Sequence, residues 1–173
     1  MTSETGGVPA RDQWPEPPAH SDEGKALTRL VLTVFRLNGR LLEAAGELAA
    51  AGEITAAWWQ VLGGISPEQP RTVAEIGRIM GMSRQAVQRI ADILVGRGLA
   101  EYRPNPHHRR AKLLARTEAG NYALRRISLV QHPWTDRLGR QLGTERLDEA
   151  VDVLQQLAEL IDRDADTDSP PPA

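Results

Sequence analysis

The sequence of 173 residues contains no cysteine, and it has few aromatic side chains and only two lysines. The lack of cysteine excludes disulfide bonds, thiolate metal sites and sensing through a thiol. Nowhere are 18 consecutive residues apolar, and the first 25 residues contain no apolar run. We therefore expect neither a membrane span nor a signal peptide, and we predict a cytoplasmic protein with no membrane partner.

Patterns that carry catalysis are missing as well. The four histidines lie at positions 20, 107, 108 and 132 and do not have the spacing of a zinc site. The sequence has no nucleophile elbow and no glycine-rich loop that could hold a phosphate. We expect no enzymatic activity, no metal and no cofactor.

The formal net charge of −2 hides an uneven distribution of charge. Residues 71–116 contain ten Lys or Arg and three acids, a net charge of +7, whereas the rest of the chain contains 11 basic and 20 acidic residues, a net charge of −9. A basic segment between acidic flanks is typical of a nucleic-acid reader whose other surfaces do not bind DNA.

The segment from Thr72 to Gly120 has the most informative pattern. Thr72 and Glu75 have the spacing of a capping box and predict the start of a helix. Gly81 is suited to the left-handed position that ends a helix, and Ser83 is suited to the N-cap of the next one. Two helices separated by so short a turn must cross steeply, as in a helix-turn-helix.

The second of these helices is predicted from Arg84 to about Arg97. Its inward stripe consists of Val87, Ile90, Ala91 and Leu94. Its opposite face carries Arg84, Gln85, Gln88, Arg89 and Asp92. Arg and Gln can pair with guanine or adenine edges in the major groove, and the Ser83 hydroxyl with the first backbone N–H groups can hold a phosphate. Taken alone, the helix could also be an ordinary amphipathic surface helix.

Two short strands, Leu99–Arg103 and Ala111–Arg116, are predicted after Gly98. The loop between them contains two prolines, which exclude helix, and it ends in Arg109 and Arg110. An arginine pair on a rigid hairpin is suited to the minor groove of DNA. The alternative is a solvated charged turn.

Long helices are predicted on both sides of this segment. The first runs over residues 23–51, and its apolar stripe is longer than a compact module could cover, which indicates a partner helix. A shorter helix follows, with Thr55 as its N-cap and the pair Trp58 and Trp59; we expect Trp59 in the core and Trp58 at a cavity or interface, although both could pack at the edge of the core. After the hairpin, Thr117 caps a helix that Pro133 is expected to kink or break.

Taken in order, these motifs resemble the MarR family of transcriptional regulators over about residues 25–163. The residues that carry the resemblance are Ile54-Thr55 with Trp59 and Val61-Leu62, Thr72-Val73-Ala74-Glu75-Ile76 with Met80-Gly81, Ser83-Arg84-Gln85-Ala86-Val87 with Leu94 and Arg97-Gly98-Leu99, and Asn105-Pro106 with Arg109-Arg110 and Thr117-Glu118-Ala119-Gly120. The resemblance implies a mainly α fold with a small β-wing, a winged helix-turn-helix flanked by dimerisation helices.

Composition and the resemblance together predict how the chain is organised. Residues 1–22 are rich in Gly, Pro and acidic residues and residues 164–173 are acidic and Pro-rich, which predicts two disordered tails around a domain over 23–163. Within the domain, 23–51 and 144–163 would be the dimerisation helices and 54–120 the winged helix-turn-helix. A homodimer would present two recognition helices to successive major grooves of a pseudo-palindromic operator, roughly 34 Å apart.

The function implied is that of a DNA-binding repressor released by a small ligand such as an aromatic compound. The predicted DNA-binding residues are Thr72, Ser83, Arg84, Gln85, Gln88, Arg89, His108, Arg109 and Arg110. The predicted ligand-binding residues are Arg36, Trp58, Trp59 and His132. His108 stands where members commonly carry an acid, so His107 and His108 could contact phosphate or make DNA binding weaken as the pH rises, or they could be solvated turn residues. A winged helix that binds proteins as an adaptor is the alternative function.

Overall fold

The computed structural model describes residues 10–66, 69–108 and 110–167. Within these ranges the fold is mainly α-helical with a small antiparallel sheet, as predicted. The helices are α1 (Asp22–Ala50), α2 (Ala56–Gly64), α3 (Val73–Met80), α4 (Arg84–Gly96), α5 (Glu118–Leu142) and α6 (Thr144–Thr167), and the strands are β1 (Arg71–Thr72), β2 (Ala100–Arg103) and β3 (Leu113–Arg116). In this part of the chain no helix is long and apolar enough to cross a membrane.

The chain divides into two compact units between Leu42 and Glu43, a boundary that falls inside α1. In the first unit, α1 exposes large apolar side chains, and Phe35 is 67% exposed. A single turn of 3₁₀ helix, Arg11–Gln13, precedes α1. Residues 1–9 lie outside the described ranges, so the disorder of the tail 1–22 and the domain boundary at 23 stay predictions.

The two helices of the helix-turn-helix begin and end where the sequence indicates. The Thr72 hydroxyl accepts a hydrogen bond from the Glu75 N–H (3.3 Å), and the Glu75 carboxylate accepts one from the Thr72 N–H (2.7 Å), which completes the capping box. Gly81 is left-handed at φ 61° and ψ 30°, and Ser83 accepts from the Ala86 N–H at 3.2 Å. These predictions are confirmed.

Close backbone packing fixes the angle between α3 and α4. Gly77 is buried on α3, and a Cβ atom at this position would lie 2.7 Å from the Met82 carbonyl oxygen in the turn. That oxygen belongs to the backbone and cannot move aside without moving the turn. The Gly77 carbonyl in return accepts the N–H groups of Gly81 and Met82. A glycine at position 77 is therefore what allows the turn to lie directly on α3.

The core of the second unit lies beneath these helices. The predicted inward stripe of α4 is confirmed, because all four of its side chains are buried. They pack with residues from α2, α3 and the sheet, including Val61, Leu62, Ile76 and Leu114. Thr55 caps α2 as predicted, since its hydroxyl accepts from the Trp58 N–H at 3.3 Å.

The sheet has the order β1-β3-β2, and both pairings are antiparallel. Sequence reasoning missed β1, which is only two residues long and exists through its pairing of Arg71 with Leu114 and of Thr72 with Leu113. The two predicted strands are shorter than expected, Ala100–Arg103 and Leu113–Arg116. A proline follows Arg103 and limits further pairing of that strand.

The helices after the wing correct two predictions. α5 does not break at Pro133, because it runs from Glu118 to Leu142 with the proline inside it, whereas the alternative of a kink at Pro133 stays a prediction. Proline removes one N–H donor, and here a 25-residue helix tolerates that loss. α6 continues to Thr167 rather than ending near residue 163, so residues 164–167 are helical and not part of a tail. The first proline after α6 is at position 170, so nothing earlier blocks helical hydrogen bonding.

Candidate nucleic-acid interface

The outer face of α4 presents the polar side chains that the sequence places there. Arg84, Gln85, Gln88, Arg89 and Asp92 are all exposed. At the start of the helix the Ser83 oxygen accepts a backbone N–H, so its own O–H proton can still be donated outward. This end of α4 therefore offers a hydroxyl and exposed cationic side chains next to the positive end of a helix dipole, an arrangement that suits a phosphate.

A groove of about 410 Å³ runs between this face and the wing. The start of α3, the outer face of α4, strand β2 and the base of the wing loop all contribute to its walls. Its lining residues are Thr72, Val73, Ala74, Arg84, Gln88, Asp92, Tyr102, Arg110, Ala111 and Lys112. The fold thus brings together predicted DNA-binding residues that are up to 38 positions apart in the sequence.

Eight of the ten basic residues of the segment 71–116 divide into two groups; Arg78 is exposed on α3, and Arg109 lies outside the described residues. In the first group each side chain is held by the protein. Arg71 donates to the Gly64 carbonyl (2.7 Å), Arg103 pairs with Glu101 (2.6 Å), and the Arg97 guanidinium lies 4.6 Å from the centre of the Trp58 ring. Arg116 is partly buried, and this burial lowers its pKa.

The second group consists of Arg84, Arg89, Arg110 and Lys112, whose side chains are exposed along the groove or on the adjoining face of α4. These four cations are therefore placed to meet an external anion at the groove or on this face of α4. Lys112 was not among the predicted contact residues. Its Nζ lies 5.6 Å from the centre of the ring of Tyr102, which also lines the groove.

Gln88, Asp92 and Tyr102 form a closed hydrogen-bonded triangle, which we call the Gln88 triangle. The Gln88 Nε2 donates to the Tyr102 hydroxyl (2.7 Å) and to Asp92 Oδ1 (3.0 Å), and the Tyr102 hydroxyl donates to the same Oδ1 (2.7 Å). Burial, with the bond to Asp92, raises the pKa of Tyr102 to about 12. The triangle joins α4 to β2. The i,i+4 spacing of Gln88 and Asp92 is a signal that the sequence contains, but nothing in the sequence indicates that Tyr102 joins them.

Thr72 lines the groove but is occupied by the capping box. Its hydroxyl donates to Glu75 Oε2 at 2.7 Å and accepts from the Glu75 N–H. The hydrogen bonds from Thr72 hold the pKa of Glu75 below its usual value, so the carboxylate is charged at neutral pH. In this arrangement the Thr72 proton is not available to a phosphate, and the residue positions α3 instead.

The wing loop holds the remaining predicted contacts. The Asn105 side chain accepts from the His107 N–H at 2.9 Å, and the His108 carbonyl accepts from the Ala111 N–H at 3.2 Å, so the described part of the loop is folded on itself. His107 and His108 are exposed and line a second hollow with Glu75. Arg110 lies in the main groove, whereas Arg109 lies outside the described residues.

The predicted ligand-binding residues occupy different surroundings. Trp58 and Trp59 are both partly buried and pack against the core. This agrees with the alternative in which both pack at the edge of the core, rather than with Trp59 alone lying inside it. His132 is exposed on α5, and Arg36 is exposed on α1 in the other unit. A pocket formed by these four residues stays a prediction.

The Gln88 triangle predicts an unusual titration. The chain has two tyrosines, so Tyr122→Phe leaves Tyr102 as the only phenol. We expect its phenolate absorbance to appear with a midpoint at about 12, rather than near the value of about 10 for a free tyrosine. Because the raised pKa keeps the proton on the folded protein, stability should fall as the pH rises from about 10 to 12. Circular dichroism must show that the protein is folded; a midpoint near 10 in folded protein would contradict the triangle.

Comparison with known proteins agrees with this geometry. A family model described as MarR family matches residues 53–111. The uncharacterised protein Rv2011c of Mycobacterium tuberculosis is 41% identical over 138 residues, which cover 79% of this chain and 93% of that protein. The transcriptional repressor MprA of Escherichia coli is 28% identical over 139 residues, which cover 79% and 77% of the two chains.

A solved structure shows the same fold. The transcriptional repressor CouR, bound to a 23-mer DNA duplex, is 26% identical with a TM-score of 0.63, and the match covers 81% of this chain and 99% of that one. The family consists of transcription regulators, which agrees with the prediction that the chain is not an enzyme. The chain belongs to the MarR family of transcription regulators.

Proposed function

We propose that this protein represses transcription by binding, as a homodimer, to a specific pseudo-palindromic DNA site. The observation that carries the proposal is the groove in which the outer face of α4 and the base of the wing present Arg84, Arg110 and Lys112 together. Two relatives support it, because MprA is a transcriptional repressor and CouR is a repressor seen on DNA.

Each element of the interface has a role that its chemistry suits. α4 enters the major groove, which is wide enough for a helix, and Arg84, Gln85 and Arg89 reach base edges or phosphates. The Ser83 hydroxyl and the first N–H groups of α4 hold a phosphate. The wing carries Arg109 and Arg110 into the minor groove, and His108 contacts the backbone at its edge. Thr72 fixes the start of α3 rather than donating its hydroxyl proton to DNA.

DNA binding through these cations predicts a steep dependence on salt. In fluorescence anisotropy, we expect the purified protein to prefer the DNA that flanks its own gene over a scrambled duplex, with affinity falling as salt rises. Arg110→Ala should weaken binding to both duplexes and reduce the slope against log salt by about one. Arg125→Ala removes an exposed arginine from α5 and serves as the matched control.

Two outcomes would count against this function. Equal salt slopes for Arg110→Ala and Arg125→Ala would remove the wing from the interface. An absence of preference for either duplex at every salt concentration would favour the adaptor function, in which the basic surface binds protein partners.

The homodimer is supported by apolar side chains that the folded chain leaves exposed. On α6 these side chains recur at helical spacing and include Leu147, Val151, Leu154 and Ile161, which are between 37% and 58% exposed. On α1, Leu32, Phe35 and Leu37 are at least 50% exposed. Removal of exposed apolar surface from water favours association, so a second copy of these helices is a suitable partner.

A charge on the apolar stripe of α6 tests the dimer. Ile161→Glu should shift the protein from dimer to monomer in sedimentation velocity and weaken operator binding, since a monomer contacts one half-site. Its helix content should change little, because the side chain is already 58% exposed. Gln156→Glu adds the same charge at an exposed position on the opposite face of α6 and should remain dimeric. Monomeric wild-type protein would overturn the homodimer.

We also propose that a small aromatic acid lowers DNA affinity by binding near Trp58 and Trp59, with His132 as a further contact. Support comes from the Trp58 ring, which already stacks with the guanidinium of Arg97 and so lies in an environment of apolar surface and positive charge. The residues of this ligand site are separate from the predicted DNA-binding residues.

Benzoate is a suitable first probe, and cyclohexanecarboxylate is its matched non-aromatic control. We expect benzoate to change tryptophan fluorescence and to weaken operator binding, and Trp58→Phe to reduce both effects. If neither benzoate nor a phenol alters fluorescence or DNA affinity, the protein is not a sensor of aromatic ligands.

A further inference from the structure

Gln88 lies on the outer face of α4, yet its amide nitrogen is directed toward the protein. Nε2 is 2.7 Å from the Tyr102 hydroxyl and 3.0 Å from Asp92 Oδ1, so it donates to both of the other members of the Gln88 triangle. A glutamine on a recognition helix ordinarily reads adenine with both ends of its amide, donating to N7 and accepting from the N6 amino group. The Gln88 nitrogen is already engaged.

The chemistry of the triangle fixes the orientation of the amide. A carboxylate can only accept hydrogen bonds, so Asp92 requires a donor from each neighbour. The Tyr102 hydroxyl gives its single proton to Asp92 (2.7 Å), and its oxygen must therefore accept from Gln88. If the amide were turned over, the single Tyr102 proton would be the only hydrogen available to the amide oxygen, the carboxylate and the hydroxyl oxygen, so two of the three contacts would be repulsive.

We infer that Tyr102 and Asp92 are specificity-determining residues, because they restrict Gln88 to accepting a hydrogen bond from DNA through Oε1. The bases that can donate in the major groove are cytosine, through its N4 amino group, and adenine, through its N6 amino group. Guanine O6 and thymine O4 are acceptors and are rejected at this position. This inference rests on the proposed function, because it requires α4 to read a major groove.

The triangle also lies where such reading would occur. Gln88, Asp92 and Tyr102 line the groove that Arg84, Arg110 and Lys112 share. Tyr102 belongs to β2 and Gln88 to α4, so the contact also fixes the strand that leads into the wing loop against the helix. Tyr102 and Asp92 are positioning residues, since they act on the base through Gln88.

Selection of bound duplexes from a library randomised over about 20 base pairs tests the inference. Comparing wild type with Gln88→Ala identifies the base position that Gln88 reads. At that position wild type should favour cytosine or adenine over guanine or thymine on one strand by about tenfold. Tyr102→Phe frees one Nε2 hydrogen, so this ratio should fall to near one while the other positions keep their preferences.

Two pairs of variants separate positioning from a general effect on folding. Asp92→Asn keeps an acceptor oxygen and should retain the wild-type preference, whereas Asp92→Ala should lose it as Tyr102→Phe does. Tyr122→Phe makes the same chemical change at an exposed residue of α5 and should leave every position unchanged. Thermal unfolding of each variant confirms that it is folded, and a merely structural role would lower affinity for all sequences equally.

The outcomes separate this inference from the function on which it rests. If wild type enriches no sequence, the proposed DNA-binding function fails and the inference fails with it. If wild type enriches a site, the function stands. The inference is then overturned by a guanine or thymine at the Gln88 position, by a Gln88→Ala variant that alters no position, or by a Tyr102→Phe variant with unchanged preference.

Discussion

The position of Thr72 is the constraint on which the rest of the interface depends. Its backbone pairs with Leu113 of β3, and it is also the N-cap of α3 through the capping box with Glu75. One residue thus fixes the wing strand to the first helix of the helix-turn-helix. Gly77 then lets the turn lie on α3, and the Gln88 triangle ties α4 to β2. As a result, α3, α4 and the wing are held in fixed positions relative to one another.

The same contacts also determine which basic side chains are held by the protein and which are exposed. Several basic residues of the segment 71–116 are held within the fold, as Arg71 is by the Gly64 carbonyl and Arg103 by Glu101. Those on the groove and the outer face of α4 project toward solvent. Net charge alone gives no indication of this arrangement, since the whole chain has a formal charge of −2. Local placement of cations, rather than total charge, gives the protein a surface suited to DNA.

Features set by near neighbours in the sequence were predicted well. The caps at Thr55, Thr72 and Ser83 depend on residues three positions away, and the buried stripe of α4 depends on helical periodicity. Contacts between distant residues were missed. β1 exists only through its pairing with β3, and the partner of Gln88 is 14 residues away on another element. The break predicted at Pro133 was wrong, because the local rule for proline gives no weight to the long helix on either side of it.

The central claim is that DNA binds along the groove between α4 and the wing, and amide chemical shifts measured by NMR test it most directly. Isotopically labelled protein would be titrated with the duplex selected by the wild-type chain. The largest chemical-shift changes are expected at residues 83–92, the N-cap and first part of α4, and at residues 103–112 of the wing, with small changes along α2. If the largest changes lay elsewhere and both of these segments were unchanged, the account would be contradicted.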